Sequence, residues 1–328
     1  MNNCKNTIFQ SNKFLSVIVV NYNGGVYLKR CIESIIHNVK VFPVEIFVVD
    51  NASTDNSLQQ IDKYHKSLII IRNSKNLGFA RAANIGIRKA QGKFLLILNN
   101  DVEIQKNTVK RSIHILETYT NAAVVGCKMI SPFLPLSPSF RRFSNIFNVS
   151  FDILPLFNKT NLSFFSTKYP DLYTKRKDFC EVDYVNGAFF LIRRQIIDEI
   201  GLFDERFFFY SEDEDFCLRV KKHGYKVIFC KSAEIIHYQG ISSRSVNRNK
   251  TWIIQQLYDN KEKFFRKHYG IVTAKLYRLI FCLTLSVLFV MNIFRSIFRI
   301  KVKPPFTSQS VLFHTLKRSI ITLLTGVR

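Results

Sequence analysis

The chain has 328 residues, 47% hydrophobic and 22% charged, with 12 Gly and 8 Pro. This excludes a peptide module, a disordered chain and a collagen-like one, and leaves room for one large α/β domain with an appendage or for two modest domains. The 48 Lys and Arg against 24 Asp and Glu give a net charge of +24, which calls for an anionic neighbour: nucleic acid, phospholipid head groups or a phosphorylated substrate.

In chain order, residues 1–13 form a tail without the apolar run of a signal peptide, so export is not expected. Four short apolar runs then read as strands: Leu15–Val20, Glu45–Val49, Leu68–Ile71 and Phe94–Leu98. Between them, Val26–His37, Asp55–Lys66 and Phe79–Ala90 read as helices, the second introduced by Ser53 and Thr54 as caps. This alternation predicts an α/β fold, a Rossmann-like and mostly parallel sheet flanked by helices. From 131 to 177 the pattern dissolves around Pro132, Pro135, Pro138 and Pro155, and a loop or lid is expected. Regularity returns with a strand at Val182–Arg193 and helices at Arg194–Ile200 and Glu214–His223. Two short strands follow, Lys226–Phe229 and Glu234–His237.

The domain predicted over 14–240 gives way to a basic helical region, 241–328, where 16 Lys and Arg face only Asp259 and Glu262. Trp252–His268 has amphipathic spacing. Leu279–Phe294 is an uncharged apolar run of 16 residues between Arg278 and Arg295, shorter than the roughly 20 residues of a straight membrane span. With Lys275, Arg278, Arg295, Arg299, Lys301 and Lys303 around it, the run suits an interfacial helix whose cations meet anionic head groups. A short span and a buried helix remain as alternatives. The seven cysteines are scattered and lack a C-x-x-C pair, so they read as reduced, cytosolic thiols rather than a disulfide framework or a zinc site.

Ligands on parallel sheets sit at the carboxyl ends of the strands, and those ends are polar here: Asn21-Tyr22-Asn23-Gly24-Gly25, Asp50-Asn51-Ala52-Ser53 and Asn99-Asn100-Asp101. A carboxylate at Asp50 suits a base edge or a ribose hydroxyl, or else a helix cap. Asp101 suits a divalent metal shared with a diphosphate, because Mg²⁺ takes one or two protein carboxylates plus phosphate oxygens. In Ser211-Glu212-Asp213-Glu214-Asp215, Glu214 and Asp215 read as a solvated helix start, whereas Glu212 and Asp213 follow an aromatic wall and can include a general base. His237 closes a strand, either as a structural imidazole or as a second metal ligand.

The blocks VVNYNGG, VVDNASTD, NLGFARAANIGI, LLILNND, VNGAFFLIRR, GLFDERFFFYSEDEDFCLRVKKHGYKV and EIIHYQG, in this order from Phe14 to Gly240, resemble an inverting family 2 glycosyltransferase of GT-A fold, in its rhamnosyltransferase-like branch. The resemblance implies transfer of a sugar from a nucleotide diphosphate donor to an acceptor hydroxyl. It implies a donor loop at Asn21 and Asn23, a nucleoside contact at Asp50, and a nucleotide and diphosphate pocket shaped by Asn76, Gly78, Phe79 and Asn84. Asn99, Asn100 and Asp101 match the D-x-D segment, Asn186 and Gly187 the sugar-facing block. Asp213 matches the catalytic base with Glu212 beside it, and Asp101 and His237 the ligands of a Mg²⁺ or Mn²⁺ ion. The sequence departs from D-x-D at Asn99, so the donor's diphosphate must complete the metal shell.

The branch further implies dTDP-rhamnose as donor, with UDP-hexoses next. The basic, apolar tail points to a polyprenyl-diphosphate-linked or polysaccharide acceptor at the cytoplasmic face of a bacterial inner membrane, with attachment through residues 271–300. Nucleic acid is not expected, since the basic excess lies beside an apolar segment and no helix-turn-helix, RRM or zinc spacing occurs. A membrane-surface scaffold without turnover, motivated by Asn99, is the other alternative.

Overall fold

The computed structural model describes residues 14–133, 139–153, 178–238, 250–297 and 309–325. The N-terminal tail, most of the predicted lid with Pro135, Pro138 and Pro155, and Gly240, Arg299, Lys301 and Lys303 lie outside the described residues. Strands β1 (Leu15–Asn21), β2 (Val44–Asp50), β3 (Ile69–Arg72) and β4 (Phe94–Asn99) pair in parallel in the order β3-β2-β1-β4, with helices α1 (Gly25–Val39) and α2 (Phe79–Lys89) between them. Alternate strand residues feed opposite faces. Val17, Val19 and Val48 pack with Leu28, Ile32 and Ile35 of α1, whereas Ile18, Phe47 and Val49 pack with Ala80, Ala83 and Ile87 of α2.

Among the described residues the sheet continues as β10-β6-β11-β5 to nine strands, β8 pairing with β11 off this path. The added elements are β5 (Val102–Ile104), α3 (Thr108–Thr118), β6 (Ala122–Ile130), β7 (Phe140–Arg141), α4 (Ile146–Ile153), β8 (Phe179–Val182), β9 (Tyr184–Val185), β10 (Phe189–Arg193), α5 (Arg194–Ile200), α6 (Glu212–Lys222) and β11 (Lys226–His237). Strand β10 runs antiparallel to β4, so it starts where β4 ends.

Four expectations are corrected. Asp55–Lys66 is not an α-helix: a 3-10 helix begins only at Gln59, because Asp55 turns back to accept hydrogen bonds from Gly25 N and Ser57 N. The predicted strand Val182–Arg193 is interrupted, since Asp183 is drawn to Phe143 N and Asn186 forms a turn through Ala188 N. The two strands after α6 are one strand with a register shift between Cys230 and Glu234. Within the expected loop, β7 and α4 are regular.

The C-terminal helix α7 (Lys250–Ile297) is broken at Gly270, whose φ of 87° only glycine adopts without strain. Both of its arms meet α8 (Gln309–Thr325), the first through Gln255 and the second through Arg278. Tyr258, Phe264, Phe265, Tyr277 and Phe281 of α7 share a core with Phe207 and Leu218 of the preceding domain. Arg278, expected to face head groups, is instead 3% exposed and bound to Asp259 and Glu262. The opposite side of the second arm exposes Val272, Leu276, Leu279, Leu283, Val287, Val290 and Phe294, a stripe at helical spacing.

Candidate active site

The polar ends of β1, β2 and β4 are stitched into one floor. Asn21 is fully buried; its Nδ2 donates to Asp50 Oδ1 (2.8 Å), Ser57 Oγ (3.0 Å) and Ser53 Oγ (3.1 Å), and its Oδ1 accepts from Asn100 Nδ2 (2.8 Å). Asp50 also accepts from Ser53 Oγ at 2.6 Å. Asn23, at φ 48°, accepts from Thr54 N at 2.7 Å and so ties the β1 loop to the β2 loop. Asn21, Asn23 and Asn100 therefore act as braces, and Asp50 sits among them. Asn51, which sequence reasoning left without a role, accepts from Leu77 N and donates to Asn76 Oδ1.

The segment from Asn76 to Asn84 carries this order outward. Asn76 Oδ1 accepts from Gly78 N (3.0 Å). Gly78 has φ 86°, and a Cβ there would lie 2.5 Å from Phe208 O, so glycine is required twice over. Phe79 N donates to that same carbonyl at 2.8 Å. Asn84 is buried and is spent on Phe203: its Nδ2 donates to the Phe203 carbonyl and its Oδ1 accepts from Phe203 N. These residues hold the aromatic loop that leads to α6.

On that loop Tyr210 and Ser211 both have φ of 73°, a left-handed conformation that costs a non-glycine residue about 1–2 kcal/mol. They aim Asp213, in the first turn of α6, at the Asn186–Ala188 turn. Asp213 Oδ2 accepts from Gly187 N at 3.0 Å, and Oδ1 from Glu214 N at 2.8 Å. The turn is joined to β4 by Asn99 N donating to Ala188 O. Burial pushes the Asp213 carboxyl above its ordinary range, against the pull of those two N–H donors. Burial and then the Asp213 charge push Glu212 well up, and Glu212 Oε2 has no hydrogen-bond partner. The Tyr210 hydroxyl is pushed up to about 12, first by burial and then by Glu212, Asp101 and Asp213.

Asp101 and His237 are brought together: Oδ1 and Nε2 are 3.2 Å apart, both side chains nearly buried, and His237 Nδ1 has no partner. Among the described residues no group of three or more His, Cys, Asp or Glu is placed to hold a metal. One carboxylate and one imidazole fit a partial shell that needs ligand oxygens. Glu214 and Asp215 are not solvated, as the sequence had implied. Glu214 binds Ser144 N and Lys261 Nζ, and Asp215 binds His268 and Lys267 of α7.

The family model Glycosyl transferase family 2 matches residues 16–201, more than half of the chain, and the model Glycosyl transferase family group 2 matches residues 159–325. The chain belongs to glycosyl transferase family 2. As a family 2 glycosyltransferase it is similar to the N-acetylglucosaminyl-diphospho-decaprenol L-rhamnosyltransferase of Mycobacterium tuberculosis, 24% identical over 70% of this chain and 77% of that protein. It is also similar to the rhamnosyltransferase WbbL of Escherichia coli, 26% identical over 70% of this chain and 85% of that one. These relatives put it in the rhamnosyltransferase-like branch. The mannosyltransferase PcManGT from Pyrobaculum calidifontis, solved with GDP-Man and Mn²⁺, superposes with a TM-score of 0.58 at 14% identity, covering 97% of this chain and 89% of that one. The family 2 glycosyltransferase thus has the expected GT-A fold.

Proposed function

We propose that this glycosyltransferase moves rhamnose from dTDP-rhamnose, with inversion, to a hydroxyl of a polyprenyl-diphosphate-linked or polysaccharide acceptor at the cytoplasmic face of a membrane. The observation that carries this reading is the unbroken hydrogen-bonded line from Asp50 through Asn21 to Asn100, with the Asn99–Ala188 and Gly187–Asp213 bonds beyond it. On this reading the line joins a nucleotide end at Asp50 to a base end at Asp213.

Asp213 takes the acceptor proton as the hydroxyl attacks the anomeric carbon from the side opposite the leaving diphosphate, a single displacement that inverts the centre. A carboxyl with a raised proton affinity serves that step better than an ordinary one, because the driving force for proton transfer grows with the basicity of the base. The Gly187 and Glu214 N–H groups fix its orientation. Asp101 and His237 would hold Mg²⁺ or Mn²⁺, which neutralises charge on a departing diphosphate. Asp50, Asn76 and Gly78 shape the nucleotide side, and Asn99 and Asn186 border the sugar.

The rhamnosyltransferase names among the relatives support the donor sugar, and the prenyl-linked substrate named for the mycobacterial protein supports the acceptor. The exposed apolar stripe on α7 supports contact with a membrane surface. A thermal-shift panel of nucleotide sugars with Mn²⁺ tests the donor. dTDP-rhamnose is expected to raise the melting temperature more than UDP-hexoses, and a response confined to UDP-hexoses would move the assignment to them.

A further inference from the structure

The first arm of α7 presents a polar face toward the loop and helix that carry Asp213. Asn260, Lys263 and Lys267 recur at helical spacing, with Lys261 and His268 beside them, and every one of these side chains reaches back across the chain. Asn260 Nδ2 donates to the carbonyls of Phe209 (2.8 Å) and Tyr210 (3.2 Å). Lys263 Nζ donates to the Arg206 carbonyl at 3.0 Å. Lys261 Nζ binds Glu214 Oε2, the residue next to Asp213. Lys267 and His268 bind Asp215.

Two of these contacts fall where they matter for the chemistry. The carbonyls that Asn260 holds belong to Tyr210, in the strained pair Tyr210–Ser211 that aims the base, and to Phe209 just before it. An otherwise costly backbone needs its surroundings to hold it, and Asn260 supplies two of those bonds. Lys261 is only 14% exposed and Glu214 is fully buried, so the ammonium is a weakly screened positive charge beside Asp213.

We infer that Asn260 and Lys261, on the C-terminal helix, are positioning residues for the catalytic base: Asn260 fixes the backbone that aims Asp213, and Lys261 sets the charge around it. The inference rests on the assignment of Asp213 as base. It makes the appended helix part of the catalytic machinery, a role that no local motif around residue 260 announces.

The groups that bear on Asp213 are Glu212 and Glu214 on its own helix, Tyr210 on the preceding loop, and Lys261 across from them. Cys217 also senses its charge. Lys261 lowers the proton affinity of both Glu212 and Asp213. Removing its charge therefore makes Asp213 harder to ionise. Because a general base works deprotonated, the acid limb of the pH–rate profile moves to higher pH.

The test uses the full chain and the variants N260A, K261M and K261R. Amide hydrogen exchange of the ligand-free proteins is read on the peptide covering 209–214, with the β1 and β2 peptides as controls. Exchange at 209–214 should rise about tenfold or more in N260A and K261M while the controls stay at wild-type rates. In turnover, followed as nucleoside diphosphate release from dTDP-rhamnose with Mn²⁺ and acceptor, N260A should lose kcat by about tenfold or more, on the scale of a small misplacement. K261M should show the upward-shifted acid limb, and K261R should restore it. Unchanged exchange at 209–214, or an acid limb in K261M that coincides with wild type, overturns the inference. If the wild-type protein released nothing from any nucleotide sugar, the glycosyl-transfer reading would fall, and the exchange measurement would still decide whether α7 holds the loop.

Discussion

Glu212 and Asp213 are adjacent carboxyls in one turn, and their surroundings differ. Asp213 is half-buried and accepts two backbone N–H bonds, whereas Glu212 is 5% exposed and keeps one oxygen without a partner. Burial raises both above the ordinary carboxylate range. A carboxyl with a raised folded-state pKa favours folding while protonated, and that advantage is lost as pH rises through the folded value. E212Q, which cannot ionise, should therefore match wild type in acid and gain stability as pH rises, on the order of 1 kcal/mol. Urea unfolding at a series of pH values measures the difference; a gain that shrinks toward higher pH would contradict it. Asp215 behaves in the opposite way. Burial acts to raise it, but hydrogen bonds from His268 and Lys267 outweigh burial and hold it low, so its contribution is lost as pH falls below the carboxylate range.

Among the elements, the two arms of α7 are tied across the Gly270 break by a buried ionic knot, which α8 joins at its rim. Arg278 binds Asp259 and Glu262, and Arg318 of α8 approaches Asp259 at 3.5 Å. Removing Arg278 takes the nearest cation from both carboxylates and leaves Arg318, at 3.5 Å, beside Asp259, and breaking a buried pair from one side costs about 3–5 kcal/mol. R278A should lose that much in denaturant unfolding, with limited proteolysis opening within 271–325 first; a loss within about 0.5 kcal/mol, the scale of an ordinary surface change, would show the knot to be dispensable. Elements also show where sequence reading succeeds. β1, β2 and β4 were legible because each is a short apolar run that ends abruptly in Asn or Asp. Asp55–Lys66 misled because its spacing is helical, while Asp55 is pulled away by Gly25 N, a residue 30 positions earlier. The strand β11 reads as two because polar Lys231 and Ser232 interrupt its apolar run, at the register shift between Cys230 and Glu234. The same limit applies to the site. Asp50, Asp101 and Asp213 stand at strand and helix ends that local pattern reveals, but the buried pairing of Glu214 with Lys261, 47 positions away, has no local signature.

Across the whole molecule, the loop and helix that carry Asp213 and the helix that bears the apolar stripe belong to one packed body, joined through Phe207, Leu218, Phe264 and Tyr277. Among the described residues, one stretch, Gln255–Phe294, is long and apolar enough to cross a membrane. For the membrane contact proposed above, the break at Gly270 and the buried Arg278 suit a helix lying on the surface, apolar side down. The full chain should cosediment with vesicles containing phosphatidylglycerol, less so as salt rises, and L283E/V287E should lose most of that binding. Equal cosedimentation of the variant would contradict a role for the stripe. The most direct check of the account is nucleoside diphosphate release by D213N beside wild type, at saturating dTDP-rhamnose with Mn²⁺ and acceptor. The account predicts a loss of about 100-fold or more in D213N, with donor-induced thermal stabilisation kept; release at the wild-type rate would contradict it.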